Sequence, residues 1–196
     1  IIISVEGNNQ ADFNKLLNLG YKMFVTNPKD IQGVLKSISK IGKIIGADSS
    51  ADVLTRSMRR RLDKVTASNS GSNQNKILTI ISLQPLICAG NYTFINEMVK
   101  IIDGINIAAK APLPYPILNR EEVLKQNPDI IITMDDAVKD VNEMLLFFPE
   151  WKNLKAFMNK KVFIVDGDLL SRPGPRIIDG LELLDNIVRS RNSSNN

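Results

Sequence analysis

Few side chains in this sequence could do chemistry, and they gather in short stretches. Asp135 and Asp136 lie just past residues 129–133 (Asp-Ile-Ile-Ile-Thr), which read as a strand with an apolar centre. At the carboxyl end of a strand in an open α/β sheet, such a pair could ligate a cation or accept a phosphoryl group. Two carboxylates that begin a helix instead satisfy its free N–H groups and suit its positive end, and that role is the expectation here. Cys88 has apolar neighbours and no basic one, which fits a buried, inert thiol better than a nucleophile. Residues 111–116 read Ala-Pro-Leu-Pro-Tyr-Pro. Three prolines stiffen that segment and fix Tyr115, either as a ligand contact with little entropy to lose or as a ring packed on its own prolines. Residues 170–176 read Leu-Ser-Arg-Pro-Gly-Pro-Arg. Two arginines in so stiff a loop can meet an anionic group in a defined geometry; alternatively Arg176 pairs internally and only Arg172 faces a cleft.

Absences narrow the chemistry further. With no His and one Cys in 196 residues, the usual zinc, copper and haem-iron ligand sets are mostly gone and no intramolecular disulfide can form. A serine hydrolase needs a His base and a Gly-x-Ser-x-Gly elbow, and a nucleotide site needs closely spaced glycines ahead of a helix; neither pattern occurs. No cofactor is expected. The net charge of +4 is concentrated at Arg56, Arg59, Arg60, Arg61 and Lys64, which helical spacing assigns to a solvated helix face, so no nucleic-acid partner is expected. The hydrophobic share of 43% describes an ordinary globular chain, and no apolar run approaches the ~18 residues of a membrane span.

The elements that would position these residues alternate. Residues 1–5 form a β-branched apolar run, the pattern of a strand buried on both faces; Phe13, Leu16 and Leu17 repeat at helical spacing up to Gly20; and residues 22–25 read as a second strand. After Asn27-Pro28, the residues Ile31, Val34, Leu35, Ile38, Ile41 and Ile45 predict a helix that Gly46 interrupts. Ser49 or Ser50 caps a second helix with Leu54, Met58, Leu62 and Val65 on its apolar face. A polar stretch, residues 66–75, reads as a loop. Beyond it, strands are predicted at 77–83, 105–108, 129–133 and 162–165, and helices at 94–102, 120–126, 138–147, 151–158 and 177–188, with 192–196 fraying. The fold class is therefore α/β, a three-layer α/β/α lobe with a mainly parallel sheet.

The order of several short motifs resembles the ABC-transporter substrate-binding proteins that capture iron-siderophores, haem or cobalamin, the type whose two lobes are joined by a long helix. They are residues 119–124 (Asn-Arg-Glu-Glu-Val-Leu), 127–132 (Asn-Pro-Asp-Ile-Ile-Ile), 151–156 (Trp-Lys-Asn-Leu-Lys-Ala), 161–163 (Lys-Val-Phe) and 172–176 (Arg-Pro-Gly-Pro-Arg). Residues 90–96 resemble the loop that enters the first helix of the family's second lobe. The resemblance implies a β-α-β remnant of a first lobe at 1–27, interlobe connecting helices at 28–66, a polar linker at 67–75 and the C-terminal α/β lobe at 76–191, so that most of the first lobe is absent from this sequence. It implies capture rather than catalysis, with a metal-chelate or corrinoid ligand held at a rim carrying Tyr92, Phe94, Tyr115 and Arg172. It implies also that Glu121 docks on an ABC permease, although a carboxylate in a first helical turn needs no such role. An extracytoplasmic location follows, with any signal lying outside the sequence. The two strands of residues 1–27 have open edges, which suggests a homodimer through them. A nitrogenase-like or other cofactor-holding domain, and a directly metal-binding relative, remain as alternatives, but both ordinarily draw on Cys or His ligands.

Overall fold

In the computed structural model, which describes residues 2–5, 10–69 and 74–189, the chain opens on β1 (Ile2–Val5), passes through α1 (Gln10–Asn18) and returns as β2 (Met23–Thr26). β1 and β2 run parallel, with Ile2 opposite Met23 and Val5 opposite Thr26. The next helix, α2 (Ile31–Ile45), is started by Asp30, whose carboxylate accepts the Gly33 N–H at 2.6 Å. It is stopped by Gly46, whose φ of 70° lets its N–H return to the carbonyls of Gly42 and Lys43. Ile31, Val34 and Leu35 are fully buried, whereas the apolar stripe expected to continue to Ile45 does not, since Ile45 is exposed.

α3 (Asp48–Ser68) begins ahead of Ser49 and Ser50, so both serines lie in the first turn instead of capping it. Its buried face is Ala51, Thr55, Met58, Leu62 and Val65, a 3-4 repeat that leaves Leu54 outside, contrary to the expected stripe. The helix also consumes the start of the polar stretch expected as a loop. Residues 70–73 and the tail 192–196 lie outside the described residues. The chain divides into two compact units, one up to Met58 with Pro173–Pro175, the other Arg59–Arg172 with the rest from Arg176.

The second unit is built on β3 (Lys76–Leu83), a mostly apolar strand in which four consecutive residues, Ile77 to Ile80, are buried, as suits a strand covered on both faces. β4 (Leu86–Cys88) pairs antiparallel with the end of β3, and α4 (Phe94–Ile101) leads to β5 (Ile105–Asn106), parallel to the start of β3. After α5 (Arg120–Gln126) comes β6 (Ile130–Met134), parallel to β3 with Ile77 opposite Ile130. α6 (Val141–Phe147), a 3-10 turn at Pro149–Asn153 and α7 (Lys155–Met158) precede β7 (Val162–Val165), parallel to β6. α8 (Gly167–Ser171) and α9 (Ile177–Arg189) close the chain. The sheet order is β4-β3-β6-β7, with β5 also on β3. Cys88 belongs to β4, a strand absent from the sequence-based expectation, and the single helix predicted over 151–158 is instead a 3-10 turn and α7 meeting at Leu154.

Alternation divides the core into two layers. Leu78, Ile80 and Ile131 face a cluster that includes Val123, Met144, Trp151, Leu154 and Ala156. Trp151 is fully buried and stacks on Phe148 with ring centroids 4.2 Å apart. The alternate residues Ile77, Thr79, Ile130 and Ile132 are equally buried, as are Ile95, Met98 and Val99 of α4 and Ile178, Leu181 and Leu184 of α9. α8 and α9 touch so closely that a Cβ at Gly180 would collide with the Leu169 carbonyl oxygen and lie 2.9 Å from its carbon. Arg61, on the second half of α3, donates to both Glu182 oxygens at 2.8 and 2.6 Å and to Asp179 at 2.5 Å. These hydrogen bonds raise the arginine's pKa and hold the Glu182 carboxyl below its ordinary value.

Candidate functional site

Open α/β sheets collect ligands beyond the carboxyl ends of their strands. Here β6 ends in Met134 and is followed by Asp135-Asp136, and β7 ends in Val165 and is followed by Asp166-Gly167-Asp168. Between these ends lies a pocket of about 360 Å³. Ile81, Ile95 and Met134 supply its apolar lining, Tyr115 and Ser171 join them, and Asp135, Asp136, Asp166 and Asp168 supply carboxylates. Asp166 caps α8 by accepting the Asp168 N–H at 2.8 Å, and the Asp135 carboxylate accepts the Gly167 N–H at 3.3 Å. That bond fastens the two strand ends to each other.

Asp135 and Asp136 do not begin a helix. They sit in a turn, and α6 starts at Val141 with Asp140 as its cap, accepting the Asn142 N–H at 2.8 Å. The apolar spacing from Val138 suggested the earlier start; Asp140 wins because its carboxylate supplies the missing partner for an orphan N–H.

The arginines of the proline-rich loop both turn to aspartates of their own chain. Arg172 Nε lies 2.6 Å from Asp168, while Arg176 reaches Asp166 at 3.9 Å and Asp168 at 3.8 Å. The Arg172 side chain remains 71% exposed, so it is tethered at the pocket's edge without being covered. Among the described residues, no group of three or more His, Cys, Asp or Glu is arranged to hold a metal ion. Cys88 is fully buried, and burial pushes its thiol up to about 12, which removes the thiolate at neutral pH.

Of the four rim residues named from sequence, Tyr115 lines the pocket, and it is half exposed. Tyr92 is 76% exposed and adopts φ 60°, a left-handed conformation that costs a bulky residue roughly 1 kcal/mol or more and needs surroundings that enforce it. Phe94 is half-buried at the start of α4, behind Thr93, whose hydroxyl accepts the Asn96 N–H at 3.1 Å. Glu121 lies elsewhere, exposed in the first turn of α5, on a separate groove of about 540 Å³ that Leu83, Pro85 and Phe147 also line. Its neighbour Arg120 is engaged at 3.7 Å from Glu150 and 5.8 Å over the Phe148 ring. The sequence reading missed Asp166, Gly167, Asp168 and Ser171. Their signal was the repetition of a strand followed by aspartate, at 134–136 and again at 165–168, on strands that pair in register.

The family model described as periplasmic binding protein matches residues 1–169. The chain belongs to the periplasmic binding protein family. Relatives of this periplasmic binding protein include an uncharacterized ABC transporter substrate-binding lipoprotein, YvrC, of Bacillus subtilis, 32% identical over 164 residues, covering 82% of this chain and 51% of that protein. A vitamin B12-binding protein of Vibrio cholerae is 24% identical over 183 residues, covering 93% of this chain and 65% of that protein. The chain thus spans about half of the first relative and just under two thirds of the second. Among solved structures, a possible iron-binding (periplasmic solute-binding) protein of Staphylococcus epidermidis superposes with TM-score 0.84 at 26% identity, over 96% of this chain and 75% of that one. The periplasmic vitamin B12 binding protein of Vibrio cholerae shares the fold at TM-score 0.81 and 23% identity. None of these names speaks of a dimer, so the homodimer expected through residues 1–27 gains no support from them.

Proposed function

We propose that the protein is the extracytoplasmic substrate-binding component of an ABC importer, capturing a metal-chelate such as a ferric siderophore or haem, or a cobalamin, between two lobes and passing it to a membrane permease without chemical turnover. The observation that carries this reading is the pocket at the ends of β6 and β7, a concave site with an aromatic at its edge on a scaffold whose relatives bear the names of solute-binding proteins. In this reading residues 76–191 are the second lobe, residues 28–66 connect it to a first lobe of which residues 1–27 are the last β-α-β, and Tyr92, Phe94, Tyr115 and Arg172 touch the ligand. Glu121 docks the permease: it is exposed and removed from the pocket lining, so it can register a basic surface while leaving capture alone.

Calorimetric titration of the full-length protein with ferric siderophores, haem and cobalamins tests capture. Calorimetry suits it better than tryptophan emission, because the single Trp151 is buried beneath the other layer of the core. Tyr115→Ala is expected to weaken the best ligand by about tenfold, the loss of one aromatic contact. Glu121→Ala is expected to leave affinity unchanged and to lower uptake in cells. No binding across the panel overturns the reading, and normal uptake with weakened binding in Glu121→Ala removes that residue from the docking surface.

A further inference from the structure

The two tyrosines proposed for the ligand stand on different loops: a chain of polar side chains reaches the first, and the second is bonded to the first through the backbone. Asn106, 8% exposed, donates through Nδ2 to the Ala89 carbonyl at 2.9 Å and to Asn96 Oδ1 at 3.0 Å, and accepts the Ala108 N–H at 3.0 Å. Asn96, 3% exposed, donates through Nδ2 to Asn91 Oδ1 at 3.1 Å. That same oxygen accepts the Tyr92 N–H at 3.0 Å. A line of amides therefore runs from Asn106 in β5 to the peptide of Tyr92, whose φ is positive. Thr93 closes the loop from the other side, its hydroxyl donating to the Gly90 carbonyl at 2.8 Å.

The second loop hangs on the first. Gly90 N–H donates to the Pro114 carbonyl at 2.8 Å and Cys88 N–H to the Pro116 carbonyl at 3.0 Å, which fixes the residue on either side of Tyr115. Proline lacks an N–H, so these carbonyls are the polar handles the segment offers. A Cβ at residue 90 would lie 2.7 Å from the Leu113 carbonyl oxygen and 2.8 Å from Pro116 Cδ, so the loops meet backbone to backbone at a glycine.

We infer that Asn91, Asn96, Asn106 and Gly90 are positioning residues that hold Tyr92 and Tyr115 in their binding geometry before ligand arrives. None of the four lines the pocket. Their action is indirect: a loop already ordered by satisfied amides loses little freedom when a ligand settles on it, whereas a loosened loop must be ordered at the expense of affinity. The inference rests on the reading of the two tyrosines as ligand contacts, and it deepens that reading by naming what fixes their place.

Asn91 is the link to cut, because it is half-buried and its loss leaves the Asn106–Asn96 core of the network in place. Asn91→Ala removes the acceptor of both the Tyr92 N–H and Asn96 Nδ2; Asn91→Asp keeps an acceptor there. In the full-length protein, Asn91→Ala is expected to speed amide exchange at residues 90–92, leave the melting temperature nearly unchanged, and weaken the tighter-binding of two probes, haemin and cyanocobalamin, by about tenfold. Asn91→Asp is expected to restore both readouts. Unchanged exchange at 90–92 in Asn91→Ala overturns the inference, and so does faster exchange with unchanged affinity. Equal weakness of the Ala and Asp variants also overturns it, since an acceptor is then not what matters. If neither probe binds the unaltered protein, the functional reading fails and exchange alone decides whether the amides hold the loop.

Discussion

Gly180→Ala opposes two effects of opposite sign, and the structure decides between them. Inside a helix, alanine is intrinsically better than glycine by about 1 kcal/mol. On α9, however, the added methyl would lie 2.9 Å from the Leu169 carbonyl carbon and 3.1 Å from Leu170 Cδ2, and would collide with the Leu169 carbonyl oxygen. Ordinary contact begins at 3.4 Å. Backbone atoms cannot swing aside as a side-chain tip can, so α8 and α9 must part by roughly half an ångström or more, which loosens Leu170, Ile177 and Leu181, all fully buried. Overpacking of this kind costs about 1–3 kcal/mol. The net expectation is destabilisation by about 2 kcal/mol, a fall in melting temperature of roughly 4–8 °C. α8 also carries Gly167, Asp168 and Ser171 of the pocket, so ligand affinity should fall with stability. Urea denaturation followed by circular dichroism measures the first effect and calorimetric titration the second. Gly174→Ala, where nothing lies within 4 Å, controls for the mere loss of a glycine. A Gly180→Ala protein more stable than its parent by the propensity difference would refute the argument.

The Cys88 thiol, buried and pushed up to about 12, is expected to resist a thiol reagent such as Ellman's at about pH 8 in the folded protein and to react at once in denaturant; rapid modification of the folded protein would show the site to be open. Arg61→Met should cost less than ~1 kcal/mol, because both partners are about a third exposed and solvent screens the pair. Its pH dependence has a definite sign: Glu182 is held below its ordinary value of 4.5, so the pair's contribution is complete above that value and is lost as pH falls through the lowered one. The stability gap between parent and Arg61→Met is therefore expected near about pH 7 and should close toward about pH 3, as denaturant midpoints would reveal.

What the sequence made legible was whatever local periodicity and caps encode. α2 was readable because Ile31, Val34 and Leu35 repeat at helical spacing between Pro28 and Gly46, and α5 and β7 fall at the residues expected for them. β4 and α8 were not, since elements of three to five residues owe their form to partners distant in the chain, although the still shorter β5 falls inside the strand expected at 105–108. The same limit hid the site. Tyr115 stood out through its prolines, but the place of Asp168 in the pocket follows only from β7 lying beside β6, and the ion pair of Arg61 only from α9 packing near α3. A solvated cluster and a clamped arginine look alike until the distant carboxylates are in view.

The position of β3 has a consequence for how the protein comes into being. It is the central strand, yet its partners are β4 and β5, which follow soon, and β6, which follows much later. β6 in turn waits for β7, and the layer containing α9 is completed by the last described residues. A nascent chain therefore holds Ile77, Leu78 and Ile80 bare while the whole stretch between β3 and β6 is made, with the long-range pairing that would bury them still absent. Consolidation should be late and abrupt, and the interval before it is when a chaperone would have the most surface to grip.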